Sequence, residues 1–83
     1  MLKDSTVSAL CGAVSEALKK ERLKQNLSMS ALAERAGLSQ QMVSYVERGI
    51  RRPTLDTVFR MALGLNTDPA LLLVNAIKTA RVK

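Results

Sequence analysis

The chain has 83 residues, which is enough for one domain but excludes two, so one small core must carry every functional group. Its hydrophobic fraction is 47%, but it contains one Tyr, one Phe and no Trp, which favours aliphatic packed helices over an aromatic-rich sheet. The formal net charge of +6 would attract a polyanion, although ordinary solubility explains such a charge equally well. These numbers predict a single all-α domain over residues 1–83.

The chain contains few of the residue types that usually catalyse reactions or bind metal ions. It contains no His, and its single Cys, Cys11, falls between Leu10 and Val14 on an apolar helix face, where we expect a buried, unreactive thiol. No metal-ligand cluster and no Gly-rich phosphate loop are present in the sequence. No apolar run approaches membrane-spanning length, and the stretch from Val7 to Val14 is a weak signal-peptide alternative. We therefore expect a cytoplasmic protein that is not an enzyme and uses no cofactor or metal.

Helix one is predicted for residues 6–25, where apolar residues recur at intervals of three and four. Asp4 or Ser5 is placed to cap its start, and Asn26 can end it in a left-handed conformation. Gly12 costs a helix about 1 kcal/mol relative to Ala. This residue indicates either a frayed first turn or the close approach of a neighbouring helix.

Two short helices follow, each with a capping serine before it and a glycine after it. They are residues 29–36, between Ser28 and Gly37, and residues 40–48, between Ser39 and Gly49. Their lengths and the turn between them are typical of a helix-turn-helix, in which two helices cross steeply. Ala33 is small where the two helices approach, Leu38 fits the elbow between them, and Val43 and Val46 are spaced to point inward.

The chain beyond Pro53 predicts two further helices. Thr54 can cap a helix whose apolar stripe ends at Gly64. The residues of that stripe are Leu55, Val58, Phe59, Ala62 and Leu63. Pro69 suits the first turn of a fifth helix over residues 70–79.

The order of small, apolar, capping and turn residues resembles the XRE family of phage Cro and repressor proteins. The matching residues are Leu27-Ser28, the segment 32–39, Val43-Ser44, Glu47-Arg48-Gly49 and the segment 51–55. The resemblance covers roughly residues 14–73 and implies a five-helix, lambda-repressor-like domain with the helix-turn-helix formed by helices two and three. It also implies a transcriptional regulator that binds specific sequences of double-stranded DNA.

In that family the third helix lies in the major groove, which implies base contacts from Gln40, Gln41, Ser44 and Tyr45. The chemistry agrees, because a Gln amide carries a donor and an acceptor that match N7 and N6 of adenine. Tyr45 is also spaced to line the sugar-phosphate wall or to pack against helix two, and its role stays open. Met42 likewise fits either core packing or contact with a thymine methyl group.

Phosphate contacts are expected from cations beside helix three and from groups at the start of helix two. These residues are Ser28, Ser30, Arg48, Arg51 and Arg52. Solvated loop charges are the alternative interpretation for the arginines. Where the family often has a phosphate-binding Gln at the start of helix two, this chain has Met29, so one clamp is missing.

The resemblance implies an ion pair between Arg22 and Glu47 that joins helix one to helix three. Helix five carries more apolar residues than one short terminal helix needs, so we expect it to form a homodimer interface that places two modules on a two-fold-related operator. These residues are Leu71, Leu72, Leu73, Ala76 and Ile77. Folding of this helix against its own core is the alternative.

A phage-type repressor, a restriction-modification controller and an antitoxin share this motif, and the sequence does not separate them. The alternative from another class is a protein-interaction module whose helix-turn-helix has lost DNA binding. Met29 and the even spread of charge along the chain are the features that favour it.

Overall fold

The computed structural model describes residues 3–81, with Arg81 described in its backbone alone. Five helices occur in this range and no strand. They are α1 (Asp4–Lys24), α2 (Met29–Ala36), α3 (Gln40–Glu47), α4 (Leu55–Gly64) and α5 (Pro69–Arg81). The predicted all-α class and the order of the helices are confirmed.

The caps of the three middle helices follow the prediction. The side-chain oxygens of Ser28, Ser39 and Thr54 each accept a hydrogen bond from the backbone N–H three residues later, at 3.0, 3.0 and 3.2 Å. Each bond satisfies one of the backbone donors that the first turn of a helix leaves without a partner. These side chains therefore fix where α2, α3 and α4 begin.

The start of α1 differs from the prediction. Its N-cap is Lys3, which has an extended backbone and makes no side-chain capping bond, and Asp4 is already helical. The assignment of Asp4 or Ser5 as the cap is therefore wrong. Asp4 instead places a negative charge in the first turn, where the helix dipole favours it. Asn26 has φ 57° just beyond the end of the helix, in the left-handed conformation that was predicted.

The core lies where the helices meet, and α1 packs against both α3 and α5. The largest fully buried side chains are Leu18, Leu32, Val43, Val46, Met61 and Leu65. Burial of each such side chain stabilises the fold by about 1.5–3 kcal/mol. Met42 and Met29 are partly buried and pack against the same cluster, so both residues contribute to the core.

The apolar stripe predicted on α4 is only half correct. Val58 and Ala62 are buried, but the larger side chains of Leu55, Phe59 and Leu63 are 67%, 46% and 67% exposed. The buried side of the helix is rotated toward other residues, namely Thr57, Met61 and, beyond the last turn, Leu65. The periodicity of apolar residues predicted the helix correctly but predicted the wrong side of it to be buried.

Gly64 explains why α4 buries that side. A Cβ atom added at Gly64 would lie 3.2 Å from Leu32 Cδ1 and 3.3 Å from the backbone nitrogen of Ala36. The absence of a side chain thus allows α4 to approach α2 closely. The predicted stop at Gly64 is the last residue of the helix itself, with Leu65 as the C-cap.

Part of the dimer interface predicted on α5 is wrong. Leu72 and Ala76 are core residues of this chain, so they have no surface to offer a partner. Leu73 is half-buried against the same core, whereas Leu71 and Ile77 are exposed. The alternative, folding against the chain's own core, therefore holds for the inward side of α5, and the dimer interface stays a prediction for its solvent-facing residues.

Two expectations about α1 also change. Cys11 is half-buried rather than buried. Among the described residues outside its own helix backbone, no atom lies within 4 Å of a Cβ built on Gly12, and the helix runs unbroken from Asp4, so neither a close described neighbour nor a frayed start accounts for this glycine. None of the described helices combines the length and the hydropathy needed to cross a membrane.

Candidate nucleic-acid interface

Helices α2 and α3 pack together across a tight turn. Gly37 ends α2 in the left-handed conformation, with φ 70°, and the N–H of Leu38 donates to the carbonyl of Ala33 at 2.9 Å. Ala33 is buried, and Leu38 packs against the core beside it. The turn is therefore held by its own backbone bonds and by the core, and it fixes how α3 projects from the protein.

The inner side of α3 is fastened by an ion pair, which is the pair that the sequence predicted. Arg22 donates from Nε to Oε2 of Glu47 at 2.6 Å and from Nη2 to Oε1 at 2.9 Å. Its Nη1 donates to the carbonyl of Leu27 at 2.6 Å. Both charged residues are buried, and none of the described buried side-chain polar atoms lacks a hydrogen-bond partner.

The hydrogen bond with Glu47 raises the pKa of Arg22 above its ordinary value, against the opposing effect of burial. Because this pKa is higher in the folded protein, the stabilisation is fully present below the unfolded pKa and is lost only as the pH rises through the folded one. Arg22 therefore anchors α3 without responding to pH changes near neutrality.

The outer side of α3 carries polar side chains. Gln40 and Gln41 are exposed in the first turn, whereas Ser44 and Tyr45 are half-buried one turn further on. Gln41 donates from Nε2 to the hydroxyl of Tyr45 at 2.5 Å. The four residues predicted to contact bases thus share one exposed strip of this helix.

Within residues 40–53, the segment that carries this strip, every exposed charge is positive. Between residues 40 and 53 the only acidic residue is Glu47, which is buried and paired. Arg48, Arg51 and Arg52 are all exposed in the same segment. A segment of this kind attracts an anion and carries no exposed carboxylate of its own.

The three arginines have different surroundings. The guanidinium of Arg51 lies over the ring of Tyr45, with Cζ 5.2 Å from the ring centroid. Arg52 donates to the hydroxyl of Ser8 on α1. Arg48 is the C-cap of α3 rather than its last helical residue, and it is exposed. No pattern in the sequence indicates the contacts of Arg51 and Arg52, whereas the four-residue spacing of Gln41 and Tyr45 allows a contact between those two side chains.

The start of α2 lies at the other end of the motif. The Ser28 oxygen accepts the capping bond, which leaves its hydroxyl proton free to donate, and Ser30 is exposed in the first turn. Met29 points its side chain toward the core, so the residue that departs from the expected Gln has a packing role.

Among residues 3–81, no group of three or more His, Cys, Asp and Glu residues could hold a metal ion.

A short pair of crossed helices, with a buried anchor on one side of the second and polar and cationic side chains on the other, defines a helix-turn-helix protein. A family model described as Helix-turn-helix matches residues 18–72, which is more than half of the chain. The chain belongs to this family, in its XRE-type branch, and the resemblance read from the sequence is confirmed.

Similar proteins share this class. A protein of Mycobacterium tuberculosis (strain CDC 1551 / Oshkosh), named an uncharacterized HTH-type transcriptional regulator, is 37% identical over 59 residues, covering 71% of this chain and 42% of the relative. The HTH-type transcriptional regulator SutR of Escherichia coli K12 is 40% identical over 53 residues, covering 64% of this chain and 30% of SutR. The chain thus spans less than half the length of these relatives.

Two solved structures are similar over most of their length. The restriction-modification controller protein C.AhdI from Aeromonas hydrophila is 31% identical with a TM-score of 0.70, covering 75% of this chain and 94% of that one. The wild-type restriction-modification controller protein C.Esp1396I is 28% identical with a TM-score of 0.77, covering 83% and 90% of the two chains.

Proposed function

We propose that this protein is a transcriptional regulator that binds specific sequences of double-stranded DNA by inserting α3 into the major groove. One observation carries the proposal. The outer side of α3 is polar and every exposed charge within residues 40–53 is positive, while its inner side is locked to the core by Glu47 and Arg22. A rigid helix with such a surface fits the width and the negative charge of the groove.

The base contacts are assigned to the first two turns of α3. Gln40 and Gln41 each present an amide that can pair with adenine, and Ser44 and Tyr45 follow one turn later. The family resemblance supports this assignment, and the exposure of both glutamines is consistent with it.

The phosphate contacts are assigned to both ends of the motif. Arg48, Arg51 and Arg52 flank α3, and Ser28 and Ser30 stand at the start of α2, where the helix dipole also favours a phosphate. Contacts of this kind fix the register of the protein on the duplex and make binding sensitive to salt.

We further propose a homodimer. The described residues of α4 and α5 leave six large apolar side chains at least 39% exposed, and burial against a second copy would remove them from water. They are Leu55, Phe59, Leu63, Leu71, Val74 and Ile77. A two-fold dimer would present two reading helices to half-sites about 34 Å apart. This surface replaces the predicted one, which included the core residues Leu72 and Ala76.

Selection from random duplexes tests DNA reading. We expect an enriched motif with two related half-sites, and an affinity that falls steeply as salt rises. Gln40→Ala and Gln41→Ala should each reduce discrimination by about 1–3 kcal/mol at one base pair. Asn75→Ala, which removes an exposed amide from α5, is the control and should leave the motif unchanged. Absence of any motif at moderate salt would favour the protein-interaction module instead.

Sedimentation equilibrium without DNA tests the dimer. We expect twice the mass of one chain at micromolar concentration, and a shift toward one chain in Phe59→Ser. Leu23→Ser is the matched control, because Leu23 is an exposed apolar residue of α1 outside the proposed interface. A single-chain mass for the unchanged protein would remove the preformed dimer and leave DNA binding untouched.

A further inference from the structure

The side chain of Tyr45 stands between a residue assigned to a base and a residue assigned to a phosphate. Its hydroxyl accepts a hydrogen bond from Nε2 of Gln41, and its ring lies beneath the guanidinium of Arg51. Gln41 and Arg51 are exposed and are ten positions apart in the chain, and Tyr45 is half-buried between them. One side chain thus contacts two exposed groups that would otherwise rotate freely.

The backbone of Tyr45 strengthens the link to Arg51. The carbonyl oxygen of Tyr45 accepts hydrogen bonds from the N–H groups of Ile50, at 3.0 Å, and of Arg51, at 3.4 Å. These bonds fold the chain back after α3 and bring Arg51 over the ring. Because they involve only the backbone, substitution of the Tyr45 side chain leaves them in place and isolates the role of the ring.

We propose that Tyr45 is a positioning residue that makes Gln41 select adenine over guanine and that holds Arg51 at the edge of the groove. This inference rests on the proposed function. It follows from the number of protons on the amide of Gln41. Nε2 carries two, and one of them is given to Tyr45, so the amide offers the major groove one donor and one acceptor.

Adenine presents one acceptor and one donor in the major groove, N7 and N6, and matches that amide. Guanine presents two acceptors, N7 and O6, and needs two donors. A Gln41 amide released from Tyr45 could turn both protons toward guanine. The hydrogen bond to Tyr45 therefore disfavours the pairing with guanine, and it also lowers the entropy that the Gln41 side chain loses on binding.

The ring of Tyr45 has a separate effect. A guanidinium held over an aromatic face keeps its charge while its position is restricted. Arg51 is thereby ordered beside the reading helix before DNA arrives, which favours contact with the phosphate that flanks the base of Gln41. Base reading and phosphate binding are coupled through one residue.

The first test compares Tyr45→Phe with the unchanged protein on two duplexes that carry A·T or G·C at the base pair affected by Gln41→Ala. Loss of one hydrogen bond should lower the preference for adenine by about two- to tenfold. The dependence of affinity on salt should not change, because Phe retains the ring under Arg51. In a Gln41→Ala background, Tyr45→Phe should have no further effect on this ratio.

The second test uses Tyr45→Leu, which removes both the hydroxyl and the ring. The adenine preference should fall as in Tyr45→Phe, and the slope of log affinity against log salt should also fall by up to about 0.9, the value for one phosphate contact. Arg51→Ala should reproduce the loss of slope without the loss of base preference. Lys20→Ala removes an exposed charge from α1 and is the control, with an unchanged slope expected.

These readouts separate positioning from folding and from the proposed function. A partly unfolded variant binds both duplexes less well, but its ratio between them is unchanged. In the free protein, Tyr45→Phe should shift the side-chain amide resonances of Gln41 and leave those of Gln40 in place.

Three outcomes have distinct meanings. If the protein selects a motif and Gln41→Ala alters it, but Tyr45→Phe leaves the adenine preference unchanged, the positioning role is wrong and the regulator remains. If Gln41→Ala alters no base preference, the positioning role is wrong as well, while Gln40 can still read DNA. If the unchanged protein selects no motif, the proposed function itself fails, and the inference fails with it.

Discussion

The helix-turn-helix of residues 28–53 and the α4–α5 unit of residues 54–81 use the same kinds of side chain in opposite ways. In the first region the large aliphatic side chains of α2 and α3 are buried, and the exposed strip of α3 is polar and cationic. In the second region large aliphatic side chains and one Phe remain exposed beside a buried core. The first surface is suited to a charged, hydrated partner and the second to an apolar one.

The two regions also differ in how they are held. Helix α3 is attached to α1 by a buried ion pair, which requires an exact geometry. Helix α4 is attached to α2 by close packing at Gly64, where a side chain is missing. The ion pair restricts the direction in which α3 projects from α1, whereas the close approach at Gly64 sets the distance between α4 and α2. The orientation of α3 therefore depends on a pair of charges, and the distance between α4 and α2 depends on side-chain volume.

The largest effect is expected where the helix-turn-helix is anchored. Glu47→Ala leaves Arg22 buried without its carboxylate and should lower the free energy of unfolding by about 3–5 kcal/mol. Chemical denaturation measures it. The control is Asp56→Ala, which removes the partner of Arg60 from an exposed pair on α4 and should cost about 0.5 kcal/mol or less. Similar losses in both variants would contradict the difference in anchoring.

The next effect is expected where the two regions meet. Gly64→Val forces atoms into a space already limited by Leu32 and Ala36, and should lower the free energy of unfolding by about 1–3 kcal/mol. Thermal unfolding followed by circular dichroism measures it. A stability equal to that of the unchanged protein would show that α4 can move away from α2 without cost.

A smaller pair of effects compares one cap from each region. Ser39→Ala removes the cap of α3 and should cost about 1 kcal/mol. Thr54→Ala removes the cap of α4 and also the hydroxyl that bonds to the buried Thr57, so its cost should be larger, about 1–2 kcal/mol. Urea denaturation of both variants gives the comparison, and the reverse order of costs would refute it.

The smallest effect is expected in α1, which packs against both regions. Gly12→Ala should raise the free energy of unfolding by about 0.5–1 kcal/mol, because Ala favours the helix more than Gly does and no described neighbouring residue has an atom within 4 Å of the new Cβ. This variant also serves as the space-permitting counterpart of Gly64→Val. Loss of stability in Gly12→Ala would mean that α1 has a neighbour at this position.

Local chemistry made much of this fold predictable. Ser28, Ser39 and Thr54 cap their helices because a cap depends on residues three positions apart, and such residues are visible in a sequence. Asn26 and Gly37 likewise adopt the left-handed backbone for local reasons. The start of α1 was the exception, since the helix extends past residues able to cap it.

Packing between helices was not predictable from the same patterns. Residues 55, 59 and 63 and residues 57, 61 and 65 both have helical spacing, and the side that is buried depends on Gly64 and on α2. Leu72 and Ala76 were assigned to a partner for the same reason, because an apolar face does not reveal what covers it. The contact of Tyr45 with Arg51 depends on where the chain returns after α3, which no local pattern encodes.

The exposed apolar side chains of α4 and α5 have a consequence for ionic conditions. Each copy carries a formal charge of +6, so Coulomb repulsion opposes the meeting of two apolar faces, and added salt screens it. The same salt weakens the proposed attraction between the arginines and DNA phosphates. On the proposed function, rising ionic strength therefore acts on the two surfaces in opposite directions, favouring the dimer while weakening the hold of that dimer on the duplex.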